Sequence, residues 1–358
     1  MVLLAEFQKR ADLRVHVILM RGRIERDIVF EQSGVTFHVL KANPKLRLAS
    51  FFWLDTWKIR RLCAQLKPDL IHAWGSEKGA SLIAARLSYQ YVMTIQGLFA
   101  WYQEQIKLSA YDRFIAMVEN LSLKRARVVT TESNFAVKFL RERHPALQIY
   151  QAEHAPNLAF HQVVRRPRIK PLRFVAVGGL GHRKGTDLIL AALEKLRPEL
   201  DFTMTFITNP NVMDEGVLRQ QVSEATWQRI DFKYHLLPHE VAQELETAAL
   251  LLMPTRADTS PNAVKEAVVA GVPVVAAEIG GIPDYLVSGK NGLLFPVGDL
   301  AAFEQTLRAA CVHPLFSQGC VDVTTLAQMR EYLSPAAMAR NFHIAYEAAM
   351  AHSQTSIH

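Results

Sequence analysis

Two acids and a proline-opened helix are the residues best placed to do chemistry. In PTRADTSPNAVKEAVVAGVPVV (254–275), Asp258 and Glu266 are separated by seven residues. An apolar run ends at Pro254, a polar loop follows, and the spacing predicts a helix from about Pro261 to Gly271, with Ser260 as N-cap. Asp258 then lies on the loop and Glu266 in the second helical turn, so both can face one ligand. Carboxylates accept hydrogen bonds from sugar and ribose hydroxyls. The helix start offers free N–H groups and the positive dipole end to a diphosphate. The same residues also read as a capped surface helix with two ordinary acids.

VAVGGLGHRKGTD (175–187) is a second candidate. A strand runs into Gly178 and Gly179, then Arg183-Lys184, then a helix capped by Thr186. Glycines let backbone approach phosphate, and the two cations neutralise it. It matches neither the dinucleotide fingerprint nor a P-loop, and a tight strand–helix turn explains it as well. In AEIGGIPDYLVSGKNGLLFPVGD (277–299), Gly280-Gly281 end a strand and Pro283 opens a helix, which suits either close backbone approach or plain turn chemistry. No HExxH, CxxC or GxSxG pattern occurs, so zinc and serine-nucleophile chemistry find no support. His72, at the end of LIHAW, reads as a strand-end histidine.

The elements that must position these residues are short apolar strands alternating with amphipathic helices, the pattern of parallel α/β sheets. Strands are predicted at 14–20, 35–40, 70–74, 91–96, 127–132 and 148–154 in the first half. A basic, proline-containing stretch, VVRRPRIKP (163–171), has linker composition. A second series starts with RFVAVGG (173–179), and a final helix over 335–353 follows Ser334. At 358 residues the chain suits two domains. The expected boundaries are 1–165, 166–334, and a C-terminal helix, 335–358, packing back toward the first domain.

Charge is divided unevenly. Residues 1–165 hold 24 Lys and Arg against 14 Asp and Glu, and residues 166–358 hold 17 against 20. The basic half suits an anionic partner such as a lipid headgroup, a phosphorylated glycan or a membrane surface, or it is simply solvated. Nucleic acid is not expected, because no aromatic-basic platform or recognition helix accompanies the charge. Three cysteines without metal spacing imply a reducing compartment. No apolar run reaches the roughly 18 residues of a membrane span, and MVLLAEFQKRADLR is not expected to be a signal peptide. The expected location is cytoplasmic, with peripheral attachment to the inner membrane face as an option.

Together these three stretches resemble the retaining glycosyltransferases of family 4. EAVVAGVPVVAAEIGGIPDYLVSGKNGLLFP is specific for that family's donor domain, and the match in order and spacing covers about residues 170–300. The resemblance implies a GT-B fold, two Rossmann-like doubly wound domains facing a central cleft. The N-terminal domain would take the acceptor and the C-terminal domain the nucleotide sugar, a UDP-sugar first, with neither metal nor other cofactor. It implies Glu266 on the ribose, Asp258 on donor-sugar hydroxyls, and Ser260 and Asn262 in the turn whose amides hold the diphosphate. Lys184 matches the phosphate-binding lysine. Where the family has an arginine this chain has Gly179, so Arg183 is expected to supply the second cation. Gln96 in TIQG (94–97) falls where many members carry a histidine facing the reacting sugar. Asp258, Lys184, Arg183 and Gln96 are thus the expected catalytic set. The expected product is a glycan or lipid-linked glycan of polysaccharide or lipopolysaccharide assembly. The alternatives are a nucleotide-sugar-binding partner subunit with weak or no turnover, and a GT-B epimerase.

By the same resemblance the family's first strand and its glycine-rich loop are missing here. In a doubly wound sheet that strand is central. The native product is therefore expected to start upstream of Met1 by on the order of 15–25 residues, and the 358-residue form to have an unstable N-terminal domain.

Overall fold

The computed structural model describes residues 2–209 and 214–354. The chain forms two compact units. The first comprises residues up to Glu132, Ala136–Glu153 and the stretch from Pro335; the second comprises Ser133–Phe135 and His154–Ser334. After the short excursion at Ser133–Phe135, the chain passes into the second unit at His154 and stays there to Ser334. The basic segment 163–171 lies within that unit, where the Arg165 guanidinium donates to the carbonyls of Leu245, Glu246, Ala248 and Gly319.

In the first unit the strands are β1 (His16–Arg21), β2 (Ile28–Gln32), β3 (Val35–Lys41), β4 (Ile71–Trp74), β5 (Tyr91–Ile95), β6 (Val128–Thr131) and β7 (Gln148–Gln151). They fall into two sheets, β1-β3-β2 and β4-β5-β6-β7. The second sheet is wholly parallel, and its members β5 and β6 are apolar or threonine-rich runs with little or no exposure, as strands covered on both faces must be. Ile18 of β1 and Ile71 of β4 pack on one core cluster around Phe52, Cys63 and Leu82.

β2 was not expected. IVFEQ is exposed at every position and its apolar run, Ile28–Phe30, is only three residues long, but it pairs antiparallel with β3 across Ser33-Gly34, with Phe30 stacked on Phe37. Both turn residues have positive φ, 50° and 72°, the geometry that joins strands in a tight hairpin. The closing helix Pro335–Gln354 belongs to this unit. Its Tyr346 hydroxyl lies 2.7 Å from His72 Nδ1, while His72 Nε2 lies 2.5 Å from Thr94 Oγ1. His72 is therefore tied into the sheet.

The second unit has one parallel sheet of β8 (Leu172–Val177), β9 (Phe202–Thr208), β10 (Ile230–Tyr234), β11 (Leu250–Met253), β12 (Val274–Ala277) and β13 (Gly292–Phe295). Its order is β10-β9-β8-β11-β12-β13. This is the doubly wound order in which chain direction across the sheet reverses between β8 and β11. β11 (LLLM) and β12 (VVAA) are buried at every position, which explains their uninterrupted apolar sequence. The helix Thr186–Leu196 buries Leu188, Ile189, Ala192, Leu193 and Leu196 on its core side. Asn262–Ala270 ends at Gly271, whose φ of 77° is left-handed.

Candidate active site

The reversal point between β8 and β11 leaves a crevice beyond the carboxyl ends of two neighbouring strands, and both of the leading motifs lie there. β8 leads into the loop 178–185 and β11 into the loop 254–261. Gly178 (φ +125°) and Gly181 (φ +129°) adopt backbone that side chains disfavour. Gly185 has a further constraint: a Cβ there would stand 2.0 Å from the Pro254 carbonyl oxygen. The absence of that atom lets the two loops close on each other.

Their closure is built from hydrogen bonds onto main-chain carbonyls. Arg256 N–H donates to Arg183 O at 2.8 Å, Thr255 Oγ1 to the same oxygen at 3.0 Å, and the Arg183 guanidinium to Ala257 O at 3.0 Å. Arg256 forms a bidentate pair with Asp187 at 2.8 and 2.7 Å, and the neighbouring cation holds the Asp187 carboxyl below its ordinary range against the opposing effect of burial. Asp187 and Arg256 were not singled out from sequence; only the contact between two distant loops makes them a pair.

Within this frame Lys184 Nζ meets Asp258 Oδ2 at 2.5 Å, and the Arg183 guanidinium comes within 4.0 Å of the same oxygen. Asp258 is buried, and the Lys184 side chain is 20% exposed. Three of the four expected catalytic residues therefore share one spot. A small recess beside them is lined by Gly178, Gly179, Lys184, Thr186 and Met253.

The local geometry departs from expectation at three points. Thr186 does not cap its helix from outside: Gly185 occupies the cap position, and the Thr186 hydroxyl accepts from Gly181 N–H at 2.9 Å, tightening the glycine loop. Ser260 is not the N-cap of the next helix. That helix begins at Asn262 with Pro261 at the cap, and Ser260 Oγ instead lies 2.6 Å from the hydroxyl of fully buried Tyr285. Pro283 opens only a short 3-10 turn, Ile282–Asp284, rather than a helix. Asn262, the first residue of its helix, is exposed. Glu266 lies in the second turn, where burial pushes its carboxyl up to about 7. Lys265 beside it is completely buried.

Gln96 belongs to the first unit, immediately after β5, and is half-buried. It borders Gly75, where a Cβ would lie 3.3 Å from Gln96 Oε1 and 2.5 Å from Glu77 Oε2. Under this loop Glu119 is 1% exposed; it accepts from Ser76 Oγ at 2.9 Å and from Ala100 N–H at 3.3 Å, and burial pushes its carboxyl up to about 8. Sequence reading passed over Glu119, although an acid on the apolar side of the amphipathic helix Ala110–Leu123 was a signal to follow.

Among the described residues no group of three or more His, Cys, Asp or Glu is placed to hold a metal ion. Nor, among them, is any helix long and apolar enough to cross a membrane. Cys63, Cys311 and Cys320 are free thiols.

Comparison with known proteins bears on the family and the fold. Residues 1–149 match Glycosyltransferase Family 4, and residues 171–311 match Glycosyl transferases group 1. The glycogen synthase of Mycobacterium tuberculosis is 24% identical over 259 residues, which cover 70% of this chain and 62% of that protein. The chain thus spans under two thirds of the length of that relative. Sucrose-phosphate synthase from Thermosynechococcus elongatus has the same fold with a TM-score of 0.81 at 18% identity, covering 98% of this chain and 91% of its own. Anabaena HepE, solved in complex with UDP, gives a TM-score of 0.66 at 16% identity over 88% of this chain and 87% of its own. The chain belongs to the group 1, family 4 glycosyltransferases, and its two Rossmann-like units are those of the GT-B fold.

Proposed function

We propose that the protein transfers a sugar, with retention, from a nucleoside diphosphate sugar to a glycan or lipid-linked acceptor, and that UDP is the nucleotide. The observation that carries this reading is the meeting of Lys184, Arg183 and Asp258 beside the glycine loop at the sheet's reversal point. Breaking the bond from the sugar to the diphosphate builds negative charge on the leaving phosphate. Lys184 and Arg183 are fixed cations for that charge, and the N-terminus of the helix Asn262–Ala270 adds its dipole. Asp258 holds Lys184 in place before the donor arrives and accepts from donor-sugar hydroxyls once the phosphate draws the lysine away. Glu266 takes the ribose hydroxyls. Ser260 is held by Tyr285 so that the turn before the helix keeps its amides toward the diphosphate. Gln96 hydrogen-bonds the reacting sugar without acting as a base.

UDP as the nucleotide is supported by the likeness to HepE, which was solved with UDP. A glycan or lipid-linked acceptor in polysaccharide or lipopolysaccharide assembly, met at the inner membrane face, is supported by the basic first half. One observation favours a second reading, a binding subunit without turnover: an amide, Gln96, stands where an imidazole would be expected.

Thermal denaturation against UDP, GDP, ADP and their sugars tests the donor, because a ligand at about 100 times its Kd adds about 2.7 kcal/mol. Stabilisation by UDP and its sugars, and not by GDP, ADP or theirs, is expected. Release of UDP from UDP-sugars with an α-linked product establishes transfer. Nucleotide binding with no turnover on any acceptor would favour the second reading.

A further inference from the structure

Residues 41–67 of the first unit contain seven Lys and Arg and a single acid, Asp55. Asp55 is buried and bonded to Arg47 at 2.5 Å, so it contributes no negative charge to the surface. The exposed charges of the segment are Lys41, Lys45, Arg60, Arg61 and Lys67, all basic. Lys58, at the rim, reaches toward Asp27 at 3.9 Å.

Amid this charge stand five large apolar side chains that the fold does not cover. Leu46 and Leu48, on the helix Pro44–Ala49, are 51% and 41% exposed; Trp53, Leu54 and Trp57, on the helix Trp53–Leu66, are 56%, 49% and 56% exposed. The second helix turns Asp55, Thr56 and Cys63 inward. Trp53 and Trp57, four residues apart, share its outer face. Each indole lies under a guanidinium: Arg86 is 4.3 Å from the Trp53 ring centroid and Arg61 is 4.8 Å from that of Trp57. Ring and cation are thus presented side by side.

The chemistry of the patch selects its partner. Cores of protein interfaces are depleted of lysine, whereas helices that lie on a bilayer carry Trp and Leu next to Lys and Arg. Indoles prefer the headgroup level, where one edge is apolar and the other wet. We infer that this two-helix surface docks the first unit on an anionic lipid bilayer, with Leu46, Leu48 and the two indoles entering the headgroup layer and the basic side chains meeting lipid phosphates. The inference deepens the proposed lipid-linked acceptor and rests on it for purpose, but the surface belongs to the first unit and the donor-binding residues to the second.

Co-sedimentation of the full chain with phosphatidylcholine vesicles, with and without phosphatidylglycerol, tests it. Binding should require the anionic lipid and weaken with salt. Each exposed Lys or Arg at the surface contributes about fivefold to partition, so the combined variant Lys45→Gln, Arg60→Gln, Arg61→Gln should lose on the order of a hundredfold. Trp53→Ala with Trp57→Ala should lose about tenfold or more. Both variants should bind UDP like the unaltered protein, so a failure of the donor reading cannot be mistaken for a failure of this one. Equal binding to neutral and anionic vesicles would overturn the inference, as would sedimentation of the charge variant at the unaltered level. Self-association that the tryptophan variant abolishes, without lipid binding, would assign the face to a second copy of the chain instead. The charge variant removes no buried contact and carries the test even if the tryptophan variant folds poorly.

Discussion

Lys184 Nζ lies 2.5 Å from Asp258 Oδ2, which joins the loop after β8 to the loop after β11 across 74 residues of chain. Arg183, beside Lys184, spends one guanidinium nitrogen on Ala257 O and approaches the same acid at 4.0 Å. The pair orders the two cations unequally. Lys184 is held by a side chain that a donor can displace, and Arg183 by backbone that it cannot.

Lys184→Ala should therefore weaken UDP binding more than Arg183→Ala. Hydrogen bonds to charged groups contribute about 1.5–3 kcal/mol, so the loss for Lys184→Ala should be on the order of 10- to 100-fold in Kd. Calorimetric titration with UDP checks it, and unaltered affinity in Lys184→Ala would remove the lysine from the phosphate site. Asp258→Ala should instead impair binding of the intact UDP-sugar more than that of UDP.

Glu266 should give stability a pH dependence of definite sign. Burial raises its carboxyl to about 7, so the folded protein keeps a proton that the unfolded chain has already released above its ordinary value of 4.5. The stabilisation is present below that ordinary value and is lost as pH rises toward 7. Glu266→Gln, which cannot ionise, should flatten the fall in melting temperature across that window relative to the unaltered protein. Parallel curves for the two proteins would show that Glu266 titrates normally.

Gly185→Ala should be among the most damaging single-methyl changes in the second unit. Its φ of +73° already disfavours a side chain, and the new Cβ would stand 2.0 Å from Pro254 O. Gly298, at φ +76° with nothing within 4 Å of its would-be Cβ, is the control. Gly298→Ala should cost only the left-handed penalty of about 1–2 kcal/mol, and Gly185→Ala distinctly more, together with UDP binding. Urea denaturation of the two variants makes the comparison.

Gln96→Ala should lower transfer while leaving UDP affinity unchanged, because Gln96 belongs to the first unit and the nucleotide residues to the second. Initial rates alongside UDP titration separate the two. A parallel loss of both would place Gln96 in nucleotide binding.

Transfer should persist in excess EDTA, since fixed cations supply the charge that a metal would otherwise provide. Assays with and without chelator decide it; inhibition that added magnesium or manganese reverses would show that Lys184 and Arg183 do not suffice.

Much of this site was legible because its signals are local. The glycines after β8, the proline before the helix Asn262–Ala270 and the Gly271 stop each act within a turn of chain, where backbone sterics leave few choices. The apolar runs of β11 and β12 announce burial directly, since a strand covered on both faces must be apolar throughout. Residue types along the chain therefore determined the alternation of strands and helices, the two-unit organisation and the family. Other features depended on elements remote in sequence. The exposed strand β2 has an apolar run of only three residues, too short to mark a strand by itself, and is fixed by its pairing with β3. The separation of β1-β3-β2 from β4-β5-β6-β7 is a matter of which backbones meet. Ser260 capped nothing because buried Tyr285 offered its hydroxyl a partner, and Asp187 gained a role only when Arg256 arrived from 69 residues away. The Lys184–Asp258 contact and the raised Glu266 carboxyl are likewise tertiary. Charge and hydrogen-bonding capacity are properties of a residue, but distance and burial are set by packing, and electrostatic energy depends on both.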